Sequence, residues 1–356
     1  MIIKTDCIHF KGDIPCFPHK MHGYHCECKE YKKIQCTILI IKLGAIGDII
    51  RTTPLLRRIR KEFPDAYITW LTYSPEILSP DWIDRILKVS AENIEFIKNI
   101  KFDWVINLDK DPIAIALTNT LKAKRKSGYT IDEWGHARAI SSDAEKHKWL
   151  TGIFDDLSKQ NKKHYVEEMF DICGFEFNDE EYIINVDMAE KEWDIDKSKR
   201  VVGLNTGCGG RWSSRLWPKE YWVKLAKDLL ENNFEVILLG GEQENEKNKI
   251  IAELSGAKYF GYFSLLTFIS LLNECELIIT AVTLAMHLTI ALKKKLILFN
   301  NIFNKNEFYL YGRGQILEPE FDCNCYYSPV CENNCMQYIY PEKVYFEVNR
   351  ILGLKP

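Results

Sequence analysis

The stretch ILIIKLGAIGDIIRTTPLLRRIR at residues 38–60 decides the fold class of this chain. It begins within an apolar run at residues 37–43 that is dense in β-branched residues, which is typical of a parallel strand buried on both faces. Two glycines and Asp48 follow directly, and apolar residues then recur at helical spacing over residues 49–62. Strand, short glycine loop and helix in this order form the repeating unit of a parallel α/β sheet.

The same order of elements recurs along the chain. Further candidate strands lie at residues 66–71, 103–108, 200–205, 234–239, 276–280 and 295–299. In the second half, candidate helices lie at residues 218–231, 244–254, 265–273 and 284–292. We therefore predict an α/β fold of two Rossmann-like, doubly wound domains that face a cleft, with ligands at the carboxyl ends of the strands.

A polar, charged stretch at residues 187–199 separates the two halves. We predict a small cysteine-rich extension at residues 1–35, an N-terminal Rossmann-like domain at residues 36–190, and a C-terminal one at residues 191–356 that ends in a cysteine-rich segment. The extension has little aliphatic periodicity, so it needs a cross-link such as a disulfide or a bound metal to hold a structure.

Charge and hydropathy exclude several classes of partner. The chain has 356 residues, of which 47 are basic and 50 are acidic, and its net charge is −3. Such a balance gives no overall attraction to nucleic acid or to anionic lipid. No run approaches the ~20 apolar residues that span a bilayer, and the first residues lack the features of a signal peptide. We therefore expect a cytoplasmic protein without a membrane span.

The loop at residues 44–48 places a carboxylate beside two glycines. Gly44 and Gly47 let backbone amides approach a ligand, and Asp48 can accept a proton from an attacking hydroxyl. Aspartate is also a favoured N-cap residue, so capping of the following helix stays open as the other interpretation.

Three loops of the second half have the composition of an anion site. Residues 205–210 (NTGCGG), followed by Arg211 and Arg215, suit a diphosphate, or else form a flexible surface loop. Residues 240–244 (GGEQE) can bind ribose hydroxyls or cap the next helix. The helix that begins at Thr283 directs its first amides towards an anion, and His287 one turn later either serves the site or packs in the core.

Together these segments resemble glycosyltransferase family 9, the ADP-heptose-dependent heptosyltransferases that build lipopolysaccharide cores. The resemblance rests on residues 38–60, 205–218 (NTGCGGRWSSRLWP), 283–299 (TLAMHLTIALKKKLILF) and 323–336 (CNCYYSPVCENNCM), and it extends from residue 37 to the C-terminus. The start, CIHFKGDIPC and then HCEC, resembles an extension found on a subset of the family. The resemblance implies a GT-B architecture with an acceptor domain followed by a donor domain, inversion at the sugar carbon, and no metal at the reaction centre.

The resemblance also implies residue roles. Asp48 matches the general base, in an acceptor-side loop with Gly44 and Gly47. The positions that match the donor site are Thr206, Gly207, Arg215, Glu244, Phe263, Thr283, Leu284 and His287. Among them, Thr206 and Arg215 match diphosphate contacts, with arginine in place of the usual lysine. Glu244 matches the ribose contact, Phe263 the apolar contact with adenine, and Thr283 and His287 the phosphate-facing helix start.

Two positions depart from the family pattern. Val282 replaces an aspartate that binds the sugar, and Leu284 replaces a small glycine. Our leading hypothesis is an inverting glycosyltransferase that moves a sugar, a heptose by resemblance, from a nucleotide-diphosphate donor such as ADP-heptose to a hydroxyl. The acceptor stays open among a glycan, a lipid-linked sugar reached by peripheral membrane contact, and a protein side chain.

A second class of function also stays open. Because valine cannot accept a hydroxyl hydrogen bond, the chain can instead be a non-catalytic nucleotide-sugar-binding or scaffold protein. A nicotinamide-dependent dehydrogenase is disfavoured, since no Gly-x-Gly-x-x-Gly follows a strand.

Eight of the twelve cysteines lie in two clusters. The candidate metal ligands are Cys7, Cys16, Cys26, Cys28, Cys323, Cys325, Cys331 and Cys335. Four converging thiolates suit structural zinc or iron at one or both clusters, and they leave no open coordination position for catalysis. Reduced thiols or one disulfide remain the alternatives.

Overall fold

The computed structural model describes residues 2–185 and 191–354. Within them the chain forms two compact units. The first contains the residues up to 150 and residues 166–185, and the second contains residues 151–165 and the chain from residue 191 onwards. This division differs from a single boundary between residues 190 and 191, since residues 151–165 belong with the second unit. Residues 187–190 of the expected linker lie outside the described residues.

The first unit is built on one sheet. Its strands are β1 (Cys36–Ile41), β2 (Ala66–Thr72), β3 (Arg85–Lys88), β4 (Phe102–Asn107), β5 (Ala123–Ile131) and β6 (Ala137–Ala139). Their order is β3-β2-β1-β4-β5-β6, with β1 to β5 parallel and β6 antiparallel to β5. Residues 38–41 of the central strand β1 are fully buried, as expected for an apolar run covered on both faces.

Eight helices lie between residues 17 and 173. They are α1 (Phe17–His22), α2 (Ile46–Ile50), α3 (Pro54–Glu62), α4 (Ala91–Lys98), α5 (Pro112–Thr120), α6 (Asp143–Thr151), α7 (Asp155–Gln160) and α8 (Tyr165–Cys173). Helix α7 belongs to the second unit, where the Asn304 amide donates to the carbonyls of Ser158 and Asn161 at 2.7 Å each.

The helix expected at residues 49–62 is two helices, α2 and α3. Pro54 is the first residue of α3, and a proline disfavours the helical conformation at the residue before it. The hydroxyls of Thr52 and Thr53 donate to the carbonyls of Asp48 and Ile50, each at 2.7 Å. These bonds satisfy carbonyls at the end of α2, so the break costs little.

The second unit repeats the arrangement with six parallel strands. They are β7 (Arg200–Asn205), β8 (Phe234–Leu239), β9 (Lys258–Tyr259), β10 (Leu277–Ala281), β11 (Lys295–Phe299) and β12 (Gly314–Leu317). Their order is β12-β11-β10-β7-β8-β9. Beyond α7, its helices are α9 (Lys219–Glu231), α10 (Asn245–Ser255), α11 (Leu265–Asn273), α12 (Leu284–Ala291) and α13 (Pro341–Leu352).

The core of the second unit lies between this sheet and its helices. Trp222 of α9 and Phe299 of β11 are both fully buried there, with Val344 of α13. Burial of each such side chain stabilises the fold by about 1.5–3 kcal/mol. The resulting pair of parallel α/β sheets confirms the predicted fold class.

Residues 2–34 precede both sheets. They contain α1 and a single antiparallel bridge between Cys7 and Lys33, while Ile2, Ile3 and Phe17 are exposed. Among the described residues, no helix has the length and apolar character that crossing a bilayer requires.

Candidate functional site

The candidate donor site lies where three neighbouring strands of the second unit end. Strands β10, β7 and β8 are adjacent in the sheet, so the loops after them meet at one edge. The amide of Asn205, the last residue of β7, donates to the Thr280 hydroxyl at 2.9 Å and reaches that of Thr283 at 3.4 Å. This side chain therefore joins the glycine loop to the start of α12.

Thr283 is the N-cap of α12. Its hydroxyl oxygen accepts a hydrogen bond from the Ala285 amide at 3.2 Å, and Leu284 is the first helical residue. The positive end of the helix dipole thus lies beside the glycine loop. His287, one turn later, is only 7 % exposed, which favours its interpretation as a packed residue. Val282 is buried before the cap.

Thr206 faces α10. Its hydroxyl donates to the Asn248 side chain at 2.6 Å, and its carbonyl accepts from Lys247 at 2.8 Å. The hydroxyl predicted to bind the donor is therefore engaged within the protein. Lys247 was not foreseen from the sequence, although its position three residues after Glu244 was a usable signal.

Gly207 is required by the close approach of Glu244. A Cβ atom at residue 207 would overlap the Glu244 carboxyl group. One Glu244 oxygen also accepts the Gly241 amide at 3.0 Å, so this carboxylate does cap the turn after β8. The capping interpretation is therefore correct, and the carboxylate also lies against the glycine loop, where a ribose contact was predicted.

Arg215 lies in a 3-10 turn, Ser213–Arg215, and is buried. It donates to the carbonyl of Cys208 at 2.6 Å and to the carbonyl of Val282, so it links the glycine loop to the residue before α12's cap. Burial lowers its pKa from the ordinary value, yet an arginine stays protonated at neutral pH. Its interpretation as a solvated surface arginine is thus wrong.

Two cations at this edge, the buried Arg215 and the half-buried Lys247, are only partly compensated by negative charge. No carboxylate of the described residues forms an ion pair with Arg215 or Lys247, and the Nε atom of Arg215 is buried without a hydrogen bond. Burial also lowers the pKa of Lys247, while the charge of Glu244 acts in the opposite direction. Buried charges are ordinarily paired, so this edge has the electrostatics of a site for an anion.

Phe263 lies away from these contacts, in the loop before α11. Its ring meets that of Trp193 edge-on, with centroids 5.2 Å apart, and the Lys191 ammonium lies 4.2 Å from its centroid. The ring is half-buried.

In the first unit, the carboxylate of Asp48 forms an ion pair with Arg51 at 2.7 Å and is 33 % exposed. The N-cap of α2 is Ala45, so Asp48 is a residue of the helix and its interpretation as a cap is wrong. The loop of residues 44–48 is held in place by the residues after β4, because the amides of Leu43 and Gly44 donate to Asp109 at 2.9 and 3.3 Å.

A lysine next to this loop was also missed. Lys110 follows β4, donates to the Trp149 carbonyl at 3.5 Å, and lies 5.0 Å from the ring of Tyr129. Burial, together with the charges of Lys148 and Lys42, lowers the pKa of Lys110 to about 8. It forms no ion pair within the described part of the chain, although the charge of Glu168 partly offsets the lowering of its pKa.

Replacement of Lys110 by methionine is expected to raise the free energy of unfolding at pH 7 by about 1–3 kcal/mol. The folded pKa of about 8 lies below the ordinary 10.5, so the unfolded chain binds the extra proton and stability is lost as the pH falls from 10.5 to 8. Urea denaturation at pH 7 and pH 10 should therefore show a gain that shrinks at the higher pH. Lys146→Met, at an exposed lysine, is the control, and an equal gain at both pH values would contradict this prediction.

The second cysteine cluster converges. The sulfurs of Cys323, Cys325, Cys331 and Cys335 all lie within 4.8 Å of one another, and the pairs 323/331 and 325/335 are 3.5 Å apart. Burial raises the pKa of Cys325, and it raises that of Cys335 to about 11, so ionising these thiols together calls for a cation. Such a donor set fits tetrahedral zinc or iron.

The N-terminal cysteines form no comparable group, since the cluster at residues 323–335 is the only one of this kind within the described residues. Instead, all four line a cavity of about 230 Å³ together with His9, His19 and His25. All twelve cysteines are free thiols, so the disulfide alternative is wrong for both clusters, and metal binding at the first stays a prediction.

Comparisons with known proteins agree with this architecture. A family model described as glycosyltransferase family 9 (heptosyltransferase) matches residues 94–305. No curated protein matches the chain. A family 9 glycosyltransferase structure from Veillonella parvula is similar with a TM-score of 0.69 and 18 % identity, over 89 % of this chain and 97 % of that one.

Two further solved structures are similar. The E. coli heptosyltransferase WaaC with ADP gives a TM-score of 0.64 at 14 % identity, over 88 % of this chain and 99 % of that one. The iron-containing dodecameric glycosyltransferase TibC from enterotoxigenic E. coli gives 0.57 at 11 % identity, over 89 % and 76 %. These likenesses establish the fold and confirm the predicted GT-B class.

Proposed function

The chain belongs to glycosyltransferase family 9, and we propose that it transfers a heptose from ADP-heptose to a hydroxyl acceptor, with inversion at the anomeric carbon. The observation that carries this proposal is that the buried Arg215 and the half-buried Lys247, at the strand ends of the second unit, form no ion pair with a carboxylate of the described residues. A diphosphate supplies the missing negative charge. The similarity to a heptosyltransferase solved with ADP supports an adenine nucleotide.

The donor is held by groups from all three loops. The amides at the start of α12, after the cap Thr283, stabilise the diphosphate. Arg215 balances the negative charge that grows on the diphosphate as its bond to the sugar breaks. The Glu244 carboxylate accepts from the ribose. Phe263 contributes an apolar face for the adenine, which requires its ring to exchange the contact with Trp193 for one with the base.

Asp48 is the general base. Its carboxylate takes the proton of the acceptor hydroxyl while that oxygen attacks the anomeric carbon and forms the new glycosidic bond. The bond between the anomeric carbon and the diphosphate oxygen breaks, and its electron pair leaves with ADP. The ion pair with Arg51 fixes the carboxylate at the first turn of α2, and its partial exposure leaves it open to an acceptor.

The four sulfurs near the C-terminus hold a structural metal ion, zinc or iron. The relative TibC is iron-containing, which favours iron, whereas the geometry accommodates either metal. The ion has no part in the transfer step, because four protein ligands leave no position for a substrate. The N-terminal cysteines are proposed as a second site of the same type, which requires them to close around the ion.

Val282 favours a second candidate function, in which the chain binds a nucleotide sugar without transferring it. The side chain here cannot accept a hydrogen bond from the sugar, and its backbone carbonyl is already engaged by Arg215. A binding-only protein would keep the diphosphate site and lose turnover, since the sugar would not be held for attack.

A donor assay separates the two functions. We expect ADP-heptose to bind the purified full-length protein in calorimetry, and ADP to be released when glycan, lipid-linked or glycoprotein acceptor fractions are added. ADP-glucose serves as the control donor. Binding without ADP release in every fraction, together with a gain of release in Val282→Asp, would establish the binding-only alternative. The absence of binding would contradict both functions.

A further inference from the structure

The cysteine cluster at residues 323–335 is attached directly to the turn that carries Arg215. The amide of Ser214 donates to the Pro329 carbonyl at 3.0 Å, and the Ser214 hydroxyl donates to the Ser328 carbonyl at 2.7 Å. The hydroxyl of Ser213 adds a bond to Pro329 at 3.2 Å. Three hydrogen bonds thus connect the cysteine segment to residues 213–215.

Asn301, which follows β11, connects the two from the other side. Its amide nitrogen lies 2.7 Å from the Ser214 carbonyl and 3.3 Å from the sulfur of Cys335, and it can donate to both. Its side-chain oxygen is buried and has no hydrogen-bond partner among the described residues. One side chain therefore contacts both a sulfur of the cluster and the residue before Arg215.

The same contact is reinforced by packing. Trp212, which precedes the turn, meets the ring of Tyr327 in the cysteine segment at 5.5 Å and that of Phe303 at 6.0 Å. The Phe303 ring also lies 5.7 Å from the guanidinium of Arg215. The turn therefore packs against Tyr327 of the cysteine segment and against Phe303, which itself contacts Tyr327.

The cysteine segment has little regular secondary structure. Between β12, which ends at Leu317, and a short 3-10 turn at Cys335–Tyr338 it contains no helix or strand. Its small apolar core consists largely of cysteines 325, 331 and 335 with Ile302. A metal ion that joins four such ligands supplies folding free energy to a segment of this kind, whereas four neighbouring thiols, three of them buried, supply only the burial of their own surface.

We propose that Asn301 is a positioning residue that couples the metal-bound cysteine cluster to Arg215, so that the affinity for ADP depends on the ion. The inference rests on the proposed donor site and goes beyond it, because it assigns the cysteine cluster a role in binding the nucleotide. The ion itself takes no part in the chemistry. It orders the segment, and the hydrogen bonds of Asn301 and Ser214 hold the guanidinium in its place.

The test uses Asn301→Leu, which removes the donor group while keeping the four cysteines. We expect about tenfold weaker ADP binding in calorimetry, the loss of a hydrogen bond worth about 1.4 kcal/mol, with zinc and iron content unchanged by plasma mass spectrometry. Asn333→Leu is the matched control, because the exposed Asn333 contacts the Cys323 sulfur at 3.6 Å without reaching the turn. The double variant Asn301→Leu/Arg215→Met should bind ADP no more weakly than Arg215→Met alone.

Removal of the ion from the wild-type protein by a chelator gives a second measurement that needs no variant. It should weaken ADP binding at least as much as Asn301→Leu, and readdition of the metal should restore the affinity. Wild-type affinity in Asn301→Leu, or in the folded metal-free protein, would overturn the coupling while leaving the donor site intact. A wild-type protein that binds no ADP would overturn the proposed function and the coupling with it.

Discussion

Replacement of Asp48 by asparagine is expected to lower the rate of sugar transfer by about 100- to 10,000-fold. An amide of the same size cannot take the proton from the acceptor hydroxyl, so the attacking oxygen loses its base. The affinity for ADP should stay unchanged, because the donor loops belong to the second unit and Asp48 belongs to the first. The rate is measured as ADP release with the acceptor fraction that supports turnover.

Arg51→Gln provides the matched control for this prediction. It breaks the 2.7 Å ion pair of Asp48 but keeps the carboxylate, so we expect a loss of less than about tenfold, in the range of a partly exposed ion pair. If Asp48→Asn transferred sugar at the wild-type rate, or no more slowly than Arg51→Gln, Asp48 would not be the base.

Replacement of Arg215 by methionine is expected to weaken ADP binding by about 100-fold, which corresponds to about 2.7 kcal/mol. Methionine fills a similar volume but brings no charge to the diphosphate. Arg211→Met is the control, because Arg211 lies in the same loop and is exposed. Calorimetry gives the affinities. The thermal midpoint of unfolding reports how far the fold is destabilised when the carbonyls of Cys208 and Val282 lose their hydrogen-bond donor.

An equal affinity for ADP in the wild-type protein and in Arg215→Met would show that the buried guanidinium serves the fold alone. In that case the two hydrogen bonds that join the glycine loop to Val282 would be its whole role. A loss of the same size in Arg211→Met would point to general attraction by positive charge.

The sequence was sufficient to predict the central elements of both sheets. Residues 38–41 and 236–239 are continuous apolar runs, and a strand covered on both faces needs such runs. Because parallel strands all end at one edge, the glycine loops after β7 and β8 could be expected to lie together with the start of α12. The short strands β3, β6, β9 and β12 were missed, since they are too short to leave a periodic signal. Strand β5 was missed as well, because its sequence AKRKSGYTI is polar over its first half.

The sequence was insufficient for what depends on long-range contacts. The burial of Arg215 requires acceptor carbonyls at residues 208 and 282. The composition of its loop alone was equally consistent with a solvent-exposed arginine. The position of Lys247 beside Thr206 arises from the packing of α10 against β8, where Asn248 joins Leu239 to Thr206. The membership of residues 151–165 in the second unit depends on Asn304, which lies more than 140 residues later.

The arrangement of the cysteines also depends on long-range contacts that the sequence does not reveal. Spacing suggested two clusters of four, but only residues 323–335 bring their sulfurs within 4.8 Å. The side chain that connects them to the donor loop, Asn301, lies outside every motif that the sequence analysis singled out. Its signal was only its position two residues after the end of β11, where a parallel sheet places functional side chains.

Hydrogen–deuterium exchange with and without ADP tests the central claim that one anion site is formed by the loops after β7, β8 and β10. We expect protection by ADP in peptides covering residues 205–215, 240–248 and 282–287, and none in residues 42–60. Protection confined to one of the three loops, or to the first unit while ADP is bound, would contradict this account.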